Sequence, residues 1–374
     1  MSRRSWGKLV IPLFTVGFIL YVIRQYMSIA LPAIDMGAAG GQVQAWHEDR
    51  WVTADGTPAN RTLEKAALVM LVRNEELHPA RFSIRGIEDR FNKRFGYDWV
   101  FLNDQPFSED FMKYTSALAS GAVYYGIIPK EHWSYPKWID QKKAKQNMRK
   151  MEEDDIIYGG SESYRHMCRF NSGFFFEHEL MQKYDYYFRI EPFVEFYCDM
   201  YEDPFKFMRE NKKKYGWVIS MYEYDMTIPT LWQTTKDFAK KFPQYIAKYN
   251  SLGFIRDDDS ALQNSDYNLC HFWSNFEIAD LSFLRSQAYK DYFEYLDRAG
   301  GFFYERWGDA PVHSLAAALF LDNDEIHHFD DVGYRHNPYT RCPTDAKYHD
   351  NGQCSCNMEE SFDTDGYSCG QVVI

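Results

Sequence analysis

A strand–helix–strand pattern near residue 66 constrains the fold of this chain more than any other feature of its sequence. Residues 66–72 read AALVMLV, a short apolar run flanked by charge, and residues 98–102 read DWVFL, a second apolar run. Residues 75–94 between them have helical spacing. Two strands joined by a helix within about 40 residues form a βαβ unit, whose strands are parallel and whose crossover is right-handed. The pattern therefore predicts an α/β domain with a parallel sheet.

The alternation of strands and helices continues to about residue 330. Residues 138–155 predict a charged surface helix, and residues 186–194 and 216–222 are further strand candidates. No internal repeat and no low-complexity linker follow residue 62. Since 45% of the residues are hydrophobic, the chain can bury a sizeable core, and one catalytic domain over residues 62–374 is more economical than two.

Charge and aromatic content narrow the classes of partner. Lys and Arg total 42 and Asp and Glu total 54, and a net charge of −12 argues against nucleic acid, whose phosphates require excess cations. Aromatic residues make up 18% of the chain. Because aromatic faces stack on sugars, this composition is compatible with a carbohydrate protein, although on composition alone a rich aromatic core is the better explanation.

The amino-terminal segment indicates a membrane anchor. Residues 9–23 carry no charge, three basic residues precede them and Arg24 follows them. As a helix this run rises about 22 Å, short of a ~30 Å hydrocarbon core but acceptable in thin early-secretory membranes. We predict a cytosolic tail at 1–8, a signal-anchor helix at 9–23 and a lumenal stem at 24–61. The positive-inside rule then sets a single-pass type II topology.

Two other features bear on this topology. A cleaved signal peptide is the alternative, because small residues near Ala30 offer a late cleavage site, and cleavage there gives a secreted soluble protein. Asn60-Arg61-Thr62 is the chain's one N-glycosylation sequon. It lies at the junction of stem and domain, where a lumenal protein can carry a glycan.

Seven cysteines indicate disulfides in the tail. Four of them, at 342, 354, 356 and 369, lie among Gly, Asn, Asp and Ser, which predicts a disulfide-stapled loop over 342–369. A zinc site is the alternative, although Cys354-Ser355-Cys356 lacks the usual ligand spacing. We expect Cys168, Cys198 and Cys270, in aromatic-rich segments, to be buried rather than bridged. An odd total leaves at least one cysteine free or paired between chains.

Polar residues close several of the apolar runs. In open α/β sheets ligands bind beyond the carboxyl ends of the strands, which draws attention to Arg73, Asn103-Asp104 and Glu191. Pro192 favours an extended residue before it and so holds Glu191 at the mouth of its strand. A carboxylate there can bind Mg²⁺ or Mn²⁺, which usually bridges one or two protein groups to substrate phosphates. Taken singly, each of these residues is better explained as a turn former.

Two segments set polar groups among large aromatic rings. Residues 267–277 read YNLCHFWSNFE and residues 300–313 read GGFFYERWGDAPVH. Glycines, amides and acids between rings suit a sugar site, with stacking faces and with carboxylates for hydroxyl groups. Two aromatic core segments are the alternative, but each polar group would then need a buried partner.

Together the motifs resemble the fungal Golgi α-1,2-mannosyltransferases, glycosyltransferase family 15. The resemblance covers residues 64–372, includes the C-terminal cysteines, and rests on YDWVFLND (97–104), SYRHMCRFNSGFFF (163–176), YYFRIEP (186–192), TIPTLWQT (227–234), YNLCHFWSNFEIA (267–279), GGFFYERWGDAPVHSLAAALFL (300–321) and GYRHNPY (333–339). It implies a GT-A-like nucleotide-sugar transferase fold with a mixed, mainly parallel central sheet, GDP-mannose as donor and Mn²⁺ as cation. It also implies a lumenal Golgi enzyme that retains the α configuration as it transfers mannose to the 2-hydroxyl of a mannose on O-linked or N-linked glycans, cell-wall mannoproteins included.

The resemblance also implies roles for individual residues. Glu191 matches the first acid of a Glu-Pro-Asp-type motif, which meets the metal, and His336 matches a metal-binding histidine. This chain departs from the motif by carrying Phe193 at its third position. Glu277 matches a proposed nucleophile and Tyr164 an active-site tyrosine.

Two retaining routes fit these roles. In one, Glu277 attacks the anomeric carbon and forms a glycosyl-enzyme. In the other, the acceptor attacks from the leaving-group face, Glu277 only stabilises positive charge, and Tyr164 hydrogen-bonds the reacting oxygens. Asp309 is expected to orient the acceptor or to act as a base. Further donor- or acceptor-binding candidates are Arg73, Asp104, Arg189, Glu223, Trp273 and Asn275.

Other functions compete with the transferase. A mannan-binding or scaffold protein that has lost catalysis finds support only in Phe193. A retaining glycosidase would use Glu277 and Asp309 as its carboxylate pair. The expected partner is a mannosylated glycoprotein acceptor, and complexes with other Golgi mannosyltransferases are a further expectation.

Overall fold

The computed structural model describes residues 42–44, 62–258 and 260–370 of the chain. The predicted tail, the predicted anchor and most of the predicted stem, Asn60 included, lie outside the described residues. Among the residues that are described, no helix has the length and apolarity that crossing a membrane requires.

Thirteen strands and thirteen α-helices make up the described part of the chain. The strands are β1 (Gln42–Gln44), β2 (Ala66–Leu71), β3 (Asp98–Asn103), β4 (Val123–Ile127), β5 (Tyr186–Arg189), β6 (Glu195–Phe196), β7 (Tyr215–Trp217), β8 (Ser220–Tyr222), β9 (Cys270–Phe272), β10 (Glu277–Asp280), β11 (Ile326–His328), β12 (Tyr334–His336) and β13 (Tyr339–Arg341). The helices are α1 (Leu77–Ile87), α2 (Lys93–Phe95), α3 (Glu109–Ser116), α4 (Gln141–Glu153), α5 (Glu162–Gly173), α6 (Pro204–Glu210), α7 (Leu231–Lys241), α8 (Leu252–Ile255), α9 (Leu281–Leu284), α10 (Gln287–Ala299), α11 (Gly301–Tyr304), α12 (Asp309–Phe320) and α13 (Lys347–Asp350).

The central sheet has eight strands in the order β1-β4-β3-β2-β5-β10-β7-β11. β4, β3, β2 and β5 run parallel, as do β7 and β11, whereas β1 and β10 are antiparallel to their neighbours. The unit β2-α1-β3 is the predicted βαβ unit. A mixed, mainly parallel sheet thus confirms the expected α/β class. β1, which lies within the segment predicted as stem, pairs with β4 at one edge.

The near-continuous apolar sequence of β2 follows from its place inside the sheet. Ala67 and Val69 enter one apolar core, whereas Leu68 and Met70 enter the other. A parallel strand covered on both faces needs apolar side chains at every position, not at alternate ones.

Two segments predicted as single strands are each divided in the structure. Residues 186–194 contain β5 and then a break before β6, because Pro192 has no N–H to donate to a ladder. Residues 216–222 contain the end of β7 and all of β8, which belong to different sheets. The predicted charged helix at 138–155 is α4.

The GGFFYERWGD segment makes a compact turn between α10 and α12. Gly300, at φ +80°, ends α10 in the left-handed conformation that glycine adopts without strain. A Cβ on Gly301 would lie 2.0 Å from Trp307, so that ring packs directly on the backbone. The turn sets Asp309 at the first position of α12.

A three-stranded sheet, β13-β12-β6, returns the carboxy-terminal part of the chain to Glu191. β6 follows Glu191 by a few residues, and β12 pairs with it antiparallel, with Arg335 opposite Glu195. This pairing brings His336, the last residue of β12, back to the segment that follows β5. A separate two-stranded sheet joins β8 to β9.

Disulfides tie the tail to the rest of the domain and correct an expectation from the sequence. The pairs are Cys198–Cys354, Cys270–Cys369 and Cys342–Cys356. The expectation that Cys198 and Cys270 are buried but unbridged is wrong, because both are buried and both are bridged. Their partners lie 156 and 99 residues away in sequence, a proximity that local spacing does not reveal. Since all four tail cysteines are oxidised, the zinc alternative is excluded, and Cys168 is free and buried as expected.

Candidate active site

A cavity of about 670 Å³ opens at the carboxyl ends of the parallel strands. Residues that end or follow β2, β3 and β5 line it, in agreement with the general rule for open α/β sheets. The predicted site residues that line it are Arg73, Asp104, Tyr164, Arg189, Glu191, Glu223, Trp273, Asn275, Asp309 and His336. Glu277 does not line the cavity and is fully buried.

Arg189, the last residue of β5, connects three elements beside the cavity. Its Nε donates to Glu191 Oε1 at 2.6 Å, and its Nη1 donates to Asp309 Oδ2 at 2.5 Å and to Ser274 Oγ at 3.3 Å. Only 13% of the Arg189 side chain is exposed. Burial alone would lower the pKa of Arg189, but Asp309 and Glu191 raise it well above its usual value, so the guanidinium stays charged.

Asp309 faces the cavity as a carboxylate. Ser274 Oγ donates to Asp309 Oδ2 at 2.8 Å, beside the bond from Arg189. Burial alone would raise the pKa of Asp309, but the positive charges of Arg189 and His313 lower it below its usual value. Its position at the amino terminus of α12 favours the same ionised form.

Glu191 and His336 fit a divalent cation. Burial lowers the pKa of His336, and the Glu191 charge only partly opposes this, so the ring is neutral near pH 7. The His336 Nδ1 atom lies 3.3 Å from the Asn337 carbonyl oxygen, which suits an Nδ1–H donor and leaves Nε2 as the ligand nitrogen. In the described ranges no three His, Cys, Asp or Glu side chains form a metal site by themselves. A cation held by one carboxylate and one imidazole takes its other ligands from substrate phosphates and water, as Mn²⁺ does in nucleotide sites.

Arg306 lines the cavity together with Arg73 and Arg189. Its Nη1 donates to the Tyr164 hydroxyl at 3.1 Å and its Nη2 donates to Glu223 Oε1 at 3.4 Å. Its guanidinium carbon lies 5.3 Å from the centre of the Tyr164 ring, a cation–π distance. Burial raises the pKa of Tyr164 well above its usual value, so the hydroxyl stays protonated and can donate to a ligand.

Glu277 lies behind this surface. It is the first residue of β10 and stands opposite Arg189 in the antiparallel ladder, which sets it at the cavity end of the sheet. His313 Nδ1 lies 2.7 Å from Glu277 Oε1, and both side chains are fully buried. The predicted nucleophile is therefore inaccessible in this structure, and its charge is felt by Arg189, whose pKa it helps to raise.

Arg73 and Asp104 follow neighbouring parallel strands on another side of the cavity. Arg73 Nη2 donates to Ser163 Oγ at 3.1 Å, and its backbone N–H donates to Glu76 Oε2 at 2.9 Å. Arg73 is exposed and Asp104 is half-buried. A cation and an acid are thus both accessible at the strand ends.

Tyrosines surround the mouth of the cavity. Tyr158 is 56% exposed and Tyr224 is 45% exposed, and both line the cavity. The Tyr158 ring stacks on Tyr164, with ring centres 4.5 Å apart and planes 8° apart. Deeper, Asn275 Oδ1 accepts from the Tyr334 hydroxyl at 3.2 Å, and the Trp273 ring meets His336 edge-on at 5.0 Å.

Phe193, the departure from the family motif, points away from the cavity. It is 64% exposed, packs against Phe82 with ring centres 5.5 Å apart, and does not line the cavity. Its backbone is left-handed, at φ +67°, a conformation that aspartate adopts more readily than phenylalanine. The departure therefore changes the surface beside Glu191 and not the cavity lining.

Sequence reasoning did not single out Ser274, Arg306 and His313. Ser274 lies within the first aromatic–polar segment, and the other two lie within the second. Polarity inside an aromatic segment is the only signal that could have marked them, and it marks several neighbours equally.

The fold and the cavity define the class of protein. A mixed, mainly parallel sheet with an acid and a histidine beyond its strand ends, beside a cavity lined by arginines and tyrosines, is typical of a GT-A-like nucleotide-sugar transferase. The family described as Glycolipid 2-alpha-mannosyltransferase matches residues 41–373, and the chain belongs to that family, glycosyltransferase family 15.

Two relatives are similar over most of the chain. Glycolipid 2-alpha-mannosyltransferase 2 of Candida albicans is 57% identical over 307 residues, which are 82% of this chain and 66% of that protein. Alpha-1,2 mannosyltransferase KTR1 of Saccharomyces cerevisiae is 57% identical over 306 residues, which are 82% of this chain and 77% of that protein.

Two solved structures share the fold at 41% sequence identity. The mannosyltransferase Ktr4p from S. cerevisiae in complex with GDP matches with a TM-score of 0.78, over 83% of this chain and 81% of that chain. Core-mannan synthase A from Aspergillus fumigatus in its Mn/GDP form matches with a TM-score of 0.77, over 89% of this chain and 88% of that chain.

Proposed function

We propose that this protein is a GDP-mannose-dependent α-1,2-mannosyltransferase that transfers mannose to the 2-hydroxyl of a mannose acceptor with retention of the α configuration. The observation that carries the proposal is a single cavity in which the pair Glu191 and His336, the pair Arg189 and Asp309, and Tyr164 meet. The names of the relatives at 57% identity support the same activity.

The donor binds along the strand ends. Arg73 is an accessible cation suited to a diphosphate, and Asp104 is an acid suited to a ribose hydroxyl. Glu191 and His336 would hold Mn²⁺, which would supply positive charge to the diphosphate leaving group. The Mn/GDP form of the Aspergillus structure supports this pairing of cation and nucleotide.

The acceptor meets the donor beside Asp309. Arg189 and Ser274 hold the Asp309 carboxylate, which accepts a hydrogen bond from the acceptor hydroxyl. Tyr164, protonated and hydrogen-bonded to Arg306, donates to the oxygen that leaves with the diphosphate. These two side chains orient the reacting oxygens on one face of the transferred sugar.

The burial of Glu277 favours the front-face route over a glycosyl-enzyme. A direct attack requires the carboxylate to reach a cavity that it does not line, whereas electrostatic stabilisation of an oxocarbenium-like sugar needs only proximity and a low dielectric. We therefore assign Glu277 the stabilisation of positive charge.

The acceptor glycan and the cellular location complete the proposal. Tyr158 and Tyr224 offer exposed faces to the sugars of a mannosylated glycoprotein, with an O-linked or an N-linked chain. With residues 9–23 as a signal anchor, the domain lies in the Golgi lumen, alongside other mannosyltransferases of the same pathway. Membrane fractionation of the full-length chain tests the anchor, since a cleaved, secreted protein would be found in the soluble fraction.

The activity is tested with the full-length chain in detergent. We expect Mn²⁺-dependent transfer from GDP-mannose to methyl-α-mannoside, with an α-1,2 linkage established by NMR of the product. A protein that binds mannan but shows no turnover with Mn²⁺, or one that cleaves an aryl mannoside without metal, contradicts the proposal and supports the scaffold or the glycosidase.

The metal assignment has its own test. His336→Ala should raise the Mn²⁺ concentration required for half-maximal transfer, because one ligand is lost. His78→Ala, which removes an exposed histidine on α1, is the matched control and should leave the Mn²⁺ requirement unchanged. An unchanged requirement in His336→Ala would remove His336 from the metal site.

A further inference from the structure

His313 is a buried histidine that joins three elements beneath the cavity. It lies one turn after Asp309 on α12, and none of its side chain is exposed. Its Nδ1 atom lies 2.7 Å from Glu277 Oε1 on β10, and its Nε2 atom lies 3.2 Å from the Asn171 carbonyl oxygen on α5. Both ring nitrogens are therefore engaged by oxygens, without solvent.

The two contacts restrict where the protons lie. A backbone carbonyl only accepts hydrogen bonds, so His313 Nε2 carries a hydrogen. Nδ1 then either donates to an ionised Glu277 or accepts from a protonated one. Burial lowers the pKa of His313, but the charges of Glu277 and Asp309 raise it above its usual value, in spite of the positive charge of Arg189. The first arrangement, imidazolium against carboxylate, is the one that these surroundings favour.

The surroundings of Glu277 fit the same arrangement. Glu277 Oε2 accepts no hydrogen bond of normal geometry from the residues that the structure describes. The buried Tyr215 hydroxyl faces Glu277 and can donate to it as a second partner, which suits an ionised carboxylate better than a protonated one. The titratable and charged groups that face the pair are Tyr187, Arg189, Tyr215, Tyr289 and Asp309.

We propose that His313 is a positioning residue for mannosyl transfer: protonated on both ring nitrogens, it holds Glu277 ionised and oriented beneath the reaction centre. This inference rests on the proposed function, because it gives Glu277 the task of stabilising positive charge on the transferred sugar. His313 itself touches neither donor nor acceptor, since it does not line the cavity.

Two near-isosteric substitutions separate the contacts of His313. His313→Asn places an amide N–H near the position of Nδ1 and so keeps a donor for Glu277. His313→Gln places one near the position of Nε2 and so keeps a donor for Asn171. We expect kcat to fall about 10-fold in His313→Asn and about 100-fold in His313→Gln, with the KM for GDP-mannose unchanged in both. Equal losses, or a more active Gln variant, would overturn the proposal in favour of a structural link to α5.

The pH dependence of kcat/KM is a second measurement, and it would not change if the role of His313 were purely structural. Asn carries no positive charge, so the loss of the imidazolium beside Glu277 should move the acid limb of the kcat/KM profile to higher pH. Ser314→Ala is the matched control, because Ser314 is the next buried polar residue on α12 and bonds to Ala310 and Phe272 without touching Glu277. We expect that variant to keep the acid limb of the wild type. An unmoved limb in His313→Asn would overturn the proposal.

If the variants fail to fold, a measurement on the wild-type protein still tests the proposal. In ¹⁵N-histidine-labelled protein, His313 should show two ring N–H signals at pH 7, and a neutral ring would overturn the inference. A wild-type protein without Mn²⁺-dependent transfer defeats the proposed function, whereas an active wild type with a neutral His313 defeats only the inference.

Discussion

Arg189 and Arg306 line the same cavity but differ in the strength of their hydrogen bonds. Arg189 donates to the carboxylates of Glu191 and Asp309 at 2.6 and 2.5 Å. Arg306 donates to a neutral hydroxyl at 3.1 Å and to Glu223 at 3.4 Å, and its Nε atom is buried without a hydrogen-bond partner among the described residues. Arg189 is therefore paired with two carboxylates, whereas Arg306 still has an N–H group that could donate a further hydrogen bond.

The difference assigns the two arginines different tasks. Arg189 fixes three elements, β5, α12 and the turn before β10, and so keeps Asp309 and Glu191 in one geometry before any substrate binds. The side-chain bonds of Arg306 to Tyr164 and Glu223 are longer, at 3.1 and 3.4 Å, and its Nε atom has no partner among the described residues, so these bonds can be exchanged more readily for substrate oxygens. We therefore expect the first network (Arg189 with Glu191, Asp309 and Ser274) to be preorganised, and the second network (Arg306 with Tyr164 and Glu223) to adapt to the substrate.

Replacing each arginine by methionine gives the largest expected contrast. Arg189→Met leaves the buried Asp309 carboxylate without its cation, and we expect a loss of about 3–5 kcal/mol in the free energy of unfolding together with loss of transfer. Arg306→Met removes weaker bonds, and we expect a loss of about 1–3 kcal/mol. Urea unfolding followed by circular dichroism measures both. Equal losses would show that the two networks do not differ in strength.

Asp309→Asn breaks the first network while preserving its shape. Charge-assisted bonds from Arg189 and Ser274 weaken, so we expect a loss of about 1.5–3 kcal/mol near neutral pH. Because folding lowers the pKa of Asp309, its stabilising contribution is full above the unfolded pKa of ~3.9 and disappears as the pH falls through the folded value. The gap in unfolding free energy between wild type and variant should therefore narrow below about pH 4. A gap that is constant with pH would mean that Asp309 is not ionised in the folded protein.

Tyr164→Phe tests the second network with a smaller change. The variant loses one hydrogen bond from Arg306 and keeps the ring that stacks on Tyr158. We expect about 1 kcal/mol of lost stability. A fall in kcat with little change in the acceptor KM is also expected, because in the proposed mechanism the hydroxyl acts on the leaving oxygen. If the acceptor KM rises and kcat does not fall, Tyr164 serves binding alone.

The sequence predicted best those site residues whose position depends on local chain direction. Arg73, Asp104 and Glu191 each follow a short apolar run, and the carboxyl ends of parallel strands necessarily meet at one edge of a sheet. The α/β class followed from the same runs. For these three residues, recognising the preceding strand in the sequence was enough to predict their position at the edge of the sheet.

The same reasoning could not predict contacts between residues that lie far apart in the sequence. Glu277 was placed in the site from the family resemblance, but its burial depends on the antiparallel β10 and on His313, 36 residues further along. The bond between Cys198 and Cys354 spans 156 residues. Local composition describes these residues as polar or apolar, but only the packed tertiary structure determines which of them meet.

The smallest expected effect concerns the exposed face of Tyr158. Its left-handed backbone, at φ +56°, costs a non-glycine residue energy, and it presents the ring at the cavity mouth beyond Tyr164. Asn tolerates that backbone, so Tyr158→Asn removes the ring without adding strain. If the ring stacks on the second sugar of an acceptor, the KM for α-1,2-mannobiose should rise about 2–10-fold, corresponding to about 0.5–1.5 kcal/mol. The KM for methyl-α-mannoside should stay unchanged.

Two further variants decide what the Tyr158 ring contacts. Tyr158→Phe keeps the stacking face and should behave as wild type. Tyr201→Asn is the control and should also behave as wild type, because it removes a ring that is 53% exposed and does not line the cavity. A rise in the KM for GDP-mannose in Tyr158→Asn would instead place the ring against the guanine base. Either result sharpens the contrast between the two networks. The Tyr158 ring stacks on Tyr164, which contacts Arg306, and in the part of the chain that the structure describes no contact joins the ring to Arg189. Loss of the Tyr158 ring should therefore alter recognition and leave the acid limb of the pH profile in place.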